Sequence, residues 1–533
     1  MAIVHLKNKE NGVTYVYESE GYWDKEKQQS RSRRKCIGKL DPETGELIPS
    51  KKYLAEQELE KLKASPGPVP TTESKKLFWG ATYLLDSIGE QLGITKDLKL
   101  CFPENYEDIL SVAYFLALEE ANTISRFPKW GRTHFHPSNN ELTSQRISEL
   151  FYDIDENGKQ KFFKLQFKRR IENEYLAYDT TSISSYSKLL KQAKRGKNKE
   201  HDPLPQINLA LVYGQDSRIP VYYRKLPGNI NDVTTIKKLL LDMGFLSPKQ
   251  VKFILDRGFY SEANINDLYT NHYKFLISTK VSLSFVQEHL NPVRDELKTR
   301  SCYSPKHRIH YFSKTISWEH TYTKKRSGEV VKSSKRLYLH LYYDEERAVD
   351  DRIGFYKRLD QLEEEIKSGK IEPNNIKVCE KYFTVKRTPK RGLKITPNQE
   401  AIDNAMKNFG YFTLSSNIIK DALEGLEIYR SKDIIEKAFG NLKERLSMRR
   451  MRVHSEECSE GKLFVQYIAL IYVAYIDKIM NDHNIYGKFT LQELLDELDV
   501  IERFEQPSKR HHVGEITKKQ RDLYEIFGIE PPS

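Results

Sequence analysis

Two short apolar runs that each end in an acid limit this chain more than any other feature of it. Tyr175-Leu176-Ala177-Tyr178 runs into Asp179, and Val251-Lys252-Phe253-Ile254-Leu255 runs into Asp256. Both read as strands of an open α/β sheet, and a polar residue set just beyond the last buried one lies at the sheet's carboxyl edge, where such folds bind ligands. A third acid, Glu436, sits on a segment whose Ile434, Ile435, Phe439 and Leu442 form a helical apolar stripe. Three carboxylates on rigid elements suit two divalent ions, Mg²⁺ or Mn²⁺, which activate an attacking water or hydroxyl and stabilise the departing oxygen in phosphoryl transfer. Taken singly, each acid is as well explained as a turn residue, a helix cap or part of a solvated helix face.

Around these acids the chain resembles the DDE-type transposases of bacterial insertion sequences, which carry a ribonuclease-H-like catalytic core. That group has a signature of Tyr, two residues, Arg, three residues, Glu, six residues and Lys; Tyr429, Glu436 and Lys443 stand at those spacings, with Lys432 in the arginine place. Lysine keeps the charge there but lacks the planar fork that grips a phosphate twice, and neighbouring Arg430 is placed to compensate. Pro203-Leu204-Pro205-Gln206, Leu226-Pro227-Gly228-Asn229 ahead of Asp232, Asp256-Arg257-Gly258-Phe259-Tyr260, and Phe412-Thr413-Leu414 near Asn417 also match the family's surroundings, as does Gly38-Lys39-Leu40-Asp41-Pro42-Glu43-Thr44-Gly45-Glu46 for one subgroup.

The resemblance implies metal-dependent cutting at the ends of a mobile element, then strand transfer to target DNA. Asp179, Asp256 and Glu436 are the implied catalytic residues and metal ligands, and Tyr429, Arg430, Lys432 and Lys443 hold phosphates. It also implies a hairpin intermediate, the element's terminal inverted repeats and target DNA as partners, and a homodimer in the synaptic complex. A metal-dependent nuclease that cuts without joining, and a non-catalytic DNA-binding derivative, are the alternatives.

Composition agrees. A net charge of +12 over 533 residues favours a polyanionic partner, although basic balance is shared by other protein classes. Cys36, Cys101, Cys302, Cys379 and Cys458 lack paired spacing, which speaks for reduced thiols and against a zinc finger or disulfide scaffold. The first residues lack a signal peptide's apolar core, and the longest apolar stretch, Leu463 to Ile476, contains Gln466 and is short for a bilayer. That stretch is expected to be a buried core helix, in a soluble, cytoplasmic, nucleoid-associated protein without a membrane partner.

The expected architecture is α/β: a ribonuclease-H-like mixed-sheet core interrupted by a β-rich insertion, preceded by an N-terminal β arm and an all-α DNA-binding module. The arm spans 1–64, ending at the Ser65-Pro66-Gly67-Pro68 linker signal, with Lys25, Lys27, Arg31, Arg33, Arg34 and Lys35 crowded in it. The helical end-binding module spans 65–165, and its last helix opens at Thr143. His134 and His136 lie in it without a third ligand at useful spacing and read as ordinary loop residues. The first part of the core spans 166–285 and includes a basic excursion, Lys188 to Lys199, in which Lys194 and Arg195 would track a phosphate backbone. The insertion spans 286–400, with strands flanking the turn at Ser327-Gly328. Within it Trp318 is either a stacking platform for an extruded base or, more in keeping with tryptophan's usual use, part of the insertion's own core. The second part of the core, 401–480, carries the stripe of Lys443, Arg445, Arg449, Arg450 and Arg452, and a helical tail occupies 481–533.

Overall fold

The computed structural model describes residues 2–9, 11–24, 29–42, 44–55, 75–120, 123–170, 174–187, 189–198, 202–246, 251–324, 328–388, 392–453, 455–505 and 511–533. The 65–68 linker signal, Lys25, Lys27, Glu43, Lys188, Lys199 and Ser327 lie outside the described residues. Two compact units are present, one of residues 1–77 with 502–514 and 533, the other of residues 78–501 with 515–532.

In the first unit β1 (Ala2–Lys7), β2 (Thr14–Asp24), β3 (Gln29–Leu40) and β4 (Leu47–Pro49) form an antiparallel sheet in sequence order. Arg31, Arg33, Arg34 and Lys35 lie exposed on β3. A smaller three-stranded sheet joins β5 (Lys75–Phe78) to strands at Glu502–Glu505 and His512–Val513.

The second unit opens with helices α1 (Gly80–Gln91), α2 (Ile94–Cys101), α3 (Tyr106–Leu118), α4 (Ser144–Asp153) and α5 (Glu156–Arg170). Thr143 caps α4, its hydroxyl accepting the Arg146 N–H at 3.3 Å. His134 is bound to Asp499 at 3.0 Å and stacked on Trp130, and His136 meets Ser111, so both belong to the packing of this region.

The large sheet then forms in the order β11-β12-β13-β16-β10-β9-β6-β7-β8. Its strands are β6 (Tyr175–Ser185), β7 (Gln206–Gly214), β8 (Pro220–Pro227), β9 (Lys252–Leu255), β10 (Lys274–Thr279), β11 (Tyr303–Ser304), β12 (Ile309–Thr323), β13 (Val330–Tyr343) and β16 (Tyr411–Ser416). Pairs β6–β9 and β9–β10 are parallel and the other pairs along this path antiparallel, which makes the sheet mixed. Helices α6 (Asp232–Leu246) and α7 (Glu262–Thr270) provide crossovers before β9 and β10, as parallel pairing requires.

The insertion's long β12–β13 hairpin does not stand apart: β13 pairs with β16 and so widens the core's own sheet, whereas residues 383–388 and 392–397 pair as a two-stranded sheet of their own. Beyond it, α8 (Glu345–Ser368), α9 (Ile376–Tyr382), the hairpin β14 (Phe383–Thr388) and β15 (Gly392–Pro397), and α10 (Gln399–Met406) gather around Leu359, Leu362, Ile366, Cys379, Tyr382, Phe383 and Ile402. After β16 come α11 (Ala422–Arg430), α12 (Asp433–Lys443), the two-residue β17 (Arg450–Met451), α13 (Glu456–Asp482), α14 (Leu491–Asp499) and α15 (Lys518–Ile526). α13 is long and apolar enough by length and composition to cross a membrane, yet 78% of that window is buried inside the protein. It serves as the core helix, packed on α3, α4 and β8.

Candidate active site

Asp179 does not end its strand. β6 continues to Ser185 because Thr180–Ser184 stay paired with β7, from Asp179 opposite Leu211 to Ser184 opposite Gln206. What opens the sheet here is its other neighbour: β9 stops at Leu255, opposite Tyr178 in a parallel register. A strand has only two edges, and β7 holds one along this whole length. β17 therefore shares the β9 edge, joining it at Ser184 and Ser185. Between these two partners residues 179–183 have no strand on that side among the described residues, a gap of roughly 16 Å at about 3.3 Å per residue.

Asp179 and Asp256 meet at the head of this gap. Their preceding residues are register partners, so their backbones lie roughly 5 Å apart. They also share a face. Tyr175 packs against the cluster that includes Ala422 and Leu426 of α11, and residues two and four positions along a strand point the same way, which puts Asp179 on the α11 side. Asp256 is there too, since Tyr429 of α11 donates its hydroxyl to Oδ1 at 2.7 Å.

The spacing of Tyr429 and Lys432 has a structural cause. α11 ends at Arg430, one residue links it to Lys432 at the N-terminal boundary of α12, and the Lys432 N–H donates to the Tyr429 carbonyl at 3.1 Å. This bend turns both side chains onto Asp256. The Lys432 ammonium, 6% exposed, stands 3.6 Å from Oδ2 and 5.7 Å from the Tyr429 ring centre. Burial pushes the Asp256 carboxyl up, but Lys432 and then the Tyr429 hydroxyl outweigh it and hold the group below its ordinary value. Burial, then the charge of Asp256, push the Tyr429 phenol well up, so it remains a donor.

Glu436 rides on α12, which buries Ile435, Ala438, Phe439 and Leu442 and packs against β6. Its own side chain is exposed. Among the described residues no group of three or more His, Cys, Asp or Glu is assembled to grip a metal ion. The structure thus joins Asp179 to Asp256 and leaves Glu436 outside that pair. The donor chemistry nevertheless fits a divalent ion: two hard carboxylates on neighbouring strands, with a third on a helix against the same strand.

The remaining sequence-predicted residues spread around the gap. Arg430 is exposed at the end of α11 and Lys443 closes α12. Arg450 lies in β17 at the far end of the gap, its guanidinium bonded to the Tyr186 hydroxyl and 3.5 Å from Asp202. Lys194 and Arg195 are exposed on a loop stapled to β7 by reciprocal Lys194–Gln206 backbone bonds of 2.9 Å. Gly228 closes on the same point, where a Cβ would fall 1.8 Å from the Gln206 carbonyl oxygen. Trp318 is 8% exposed, its N–H bonded to Asn266 at 2.9 Å and its ring edge-on to Phe285.

Sequence reasoning missed two features. Asp232 accepts the Thr180 hydroxyl at 2.6 Å, on the sheet face opposite Asp179, and helps hold this part of β6. Buried Lys225 bridges Glu456 at 2.6 Å and Glu460 at 2.9 Å, tying β8 to α13, while Glu456 also accepts the Gln192 N–H of the basic loop. A helical acid opening after Pro-Gly-Asn hinted at the first, whereas nothing local marked the second.

Residues 172–472 match the family model described as transposase DDE domain. No curated protein matches the chain. Among solved structures it is similar to a piggyBac transposase synaptic complex with hairpin DNA, determined by cryo-electron microscopy, at 9% identity and a TM-score of 0.35, covering 74% of this chain and 70% of that one.

Proposed function

The chain belongs to the DDE-domain transposase family, and from that premise we propose that it cuts the ends of an insertion sequence and joins them to target DNA, with Asp179, Asp256 and Glu436 holding two divalent ions, Mg²⁺ or Mn²⁺. The observation that carries the reading is the side-by-side placement of Asp179 and Asp256 at a break in the sheet edge. Divalent ions bound there supply an activated water or hydroxyl and stabilise the oxygen that leaves.

The chain's own residues prepare that chemistry. Lys432 and Tyr429 keep Asp256 ionised, so that it is ready to act as a ligand at neutral pH. Lys443 and Arg450 stand beyond the acids, where a phosphate backbone running along the gap would need countercharge. Lys194 and Arg195, exposed on their stapled loop, extend that track. Two such centres acting on two ends require two copies on DNA, hence a dimer in the synaptic complex at the bacterial nucleoid. In this reading the freed 3′-hydroxyl attacks the opposite strand, giving a hairpin before joining.

The test uses DNA carrying the inverted repeats expected to flank the gene, with Mg²⁺ or Mn²⁺. The wild type is expected to yield cut ends and strand-transfer products, and Asp179→Asn, Asp256→Asn and Glu436→Gln to lose roughly a thousandfold in rate, the equivalent of several kcal/mol of transition-state stabilisation. Cutting without joined products would identify a nuclease. Equal cutting by Asp179→Asn would defeat the active-site assignment.

A further inference from the structure

Beyond the acid pair, the segment that follows α12 lines a groove of about 1150 Å³ that includes none of Asp179, Asp256 or Glu436. Its wall carries five cations, Lys443, Arg449, Arg450, Arg452 and Lys462, against two carboxylates. Both carboxylates are engaged with arginines: Glu444 with Arg449 at 2.8 Å and Glu120 with Arg445 at 3.8 Å. Arg450 is answered by Asp202. Positive charge is left over at Arg452 and Lys462, neither of which meets a carboxylate among the described residues.

Lys462 is the unusual member. It is 8% exposed, lies inside the long buried helix α13, and faces the groove. Gln466, one turn further along α13 on the same side, is 1% exposed and also lines the groove. Its Nε2 donates to the Leu446 carbonyl at 2.8 Å, while its buried Oε1 has no partner among the described residues. Leaving a cation buried without a counter-ion is costly, and placing a second cation beside it raises that cost. Burial, and then the charge of Arg452, lower the Lys462 amine to about 8. A site that gathers uncompensated positive charge around a cavity is built to receive an anion.

The position of the groove says which anion. Lys443, on its wall, lies seven residues along α12 from Glu436, roughly 10 Å at 1.5 Å per residue. Duplex DNA rises about 3.4 Å per nucleotide along each strand, so this distance corresponds to about three nucleotides.

We propose that this groove is a second DNA contact, in which Lys462, with Arg452 beside it, seats the backbone phosphate about three nucleotides from the scissile bond. The identity of the polyanion rests on the transposase reading; the anion site itself rests on the groove. Lys462 is a positioning residue: it fixes the strand so that the cut falls at one bond.

The experiment measures binding of the full-length protein to end duplexes in EDTA, across a KCl series, for the wild type, Lys462→Met and Lys462→Arg. Lys462→Met is expected to bind about tenfold more weakly at 0.1 M KCl, with a log–log salt slope shallower by about 0.9, the value of one phosphate contact. Lys462→Arg is expected to keep both the affinity and the slope. Removing a buried unpaired charge should leave the melting temperature of Lys462→Met equal to or above that of the wild type, whereas a lysine with a merely structural role would lower it. A neutral methylphosphonate placed two to four nucleotides from the cut should weaken the wild type about tenfold and Lys462→Met no further. Wild-type affinity and slope in Lys462→Met, or a wild type indifferent to the methylphosphonate at all three positions, overturns the proposal even if the Met variant folds poorly. Because binding is read without metal, a protein that shows the Lys462 effect yet cuts nothing keeps this groove and loses the catalytic reading, and the converse result does the opposite.

Discussion

Replacing Lys432 by methionine removes the charge that holds Asp256 ionised while keeping most of the buried volume. At 3.6 Å the pair interacts by about 5 kcal/mol at an effective dielectric of 20 and by about 1 kcal/mol in bulk water. The Asp256 side chain is 40% exposed, so screening moves the figure toward the lower end, to about 2 kcal/mol or roughly 1.5 pKa units. Burial is then opposed only by Tyr429 and Arg257, and the Asp256 carboxyl rises by that amount from its depressed value. A carboxyl held low in the folded state stabilises the fold above its ordinary range and loses that contribution as pH falls through the depressed value, so Lys432→Met also forfeits stability from neutral pH down to that point. The assay is the acid limb of the pH profile for end cleavage, together with a carbon-13 titration of the Asp256 carboxyl. Both should move up by 1 to 2 units in Lys432→Met. Lys432→Arg, which restores the family's arginine, should leave them near the wild-type position. An unmoved limb and resonance in the methionine variant, or an equal shift in the arginine variant, would refute the reasoning.

Two other outcomes follow from buried groups. Lys225→Met leaves Glu456 with the Gln192 N–H and Glu460 with Lys159, and should lower stability by about 1–3 kcal/mol in urea melts at pH 7. Burial pushes both carboxyls up but the lysines hold them low, so the wild-type advantage should be complete above about pH 4.5 and fade on acidification; a variant as stable as the wild type at neutral pH would show that the bridge contributes nothing. Trp318→Ala should cost about 3–5 kcal/mol of stability through the cavity it leaves, and Trp318→Phe only about 1 kcal/mol for the bond to Asn266. If packing is its role, end-DNA affinity in the phenylalanine variant stays within about twofold of the wild type, and a tenfold loss there would return Trp318 to the DNA contacts.

The elements closest to the acids were legible in the sequence because their signals are local. The apolar runs ending at Asp179 and Asp256, the capped helix opening at Thr143, the charged helix beginning at Glu345 and the apolar core helix around Leu463 to Ile476 all appear where periodicity and cap chemistry put them. Boundaries moved where pairing overrode pattern. Thr180 to Ser185 looked like the exit from a strand, yet hydrogen bonding to β7 keeps them in it. Likewise the aromatic and basic strands on either side of Gly328 carried the pattern of a β insertion, but nothing in that pattern could show that β13 would pair with β16 and widen the core sheet.

What the sequence determined by itself was the chemistry on offer: three acids on rigid elements, a tyrosine and a lysine three residues apart, and a cationic stripe after the third acid. Only the tertiary structure decided which of these meet. Asp179 and Asp256 lie 77 positions apart in the chain and become neighbours because β6 and β9 pair in parallel and β9 ends one residue before its acid. Tyr429 and Lys432 reach Asp256 because two helices bend between them. Lys462, buried in the first half of α13, faces a groove whose other walls come from segments distant in the chain. Local pattern follows from the backbone's short-range geometry and can be read from neighbours in sequence. Register, strand ends and uncompensated burial follow from hydrogen bonds and packing between distant segments, and these exist only once the chain has folded.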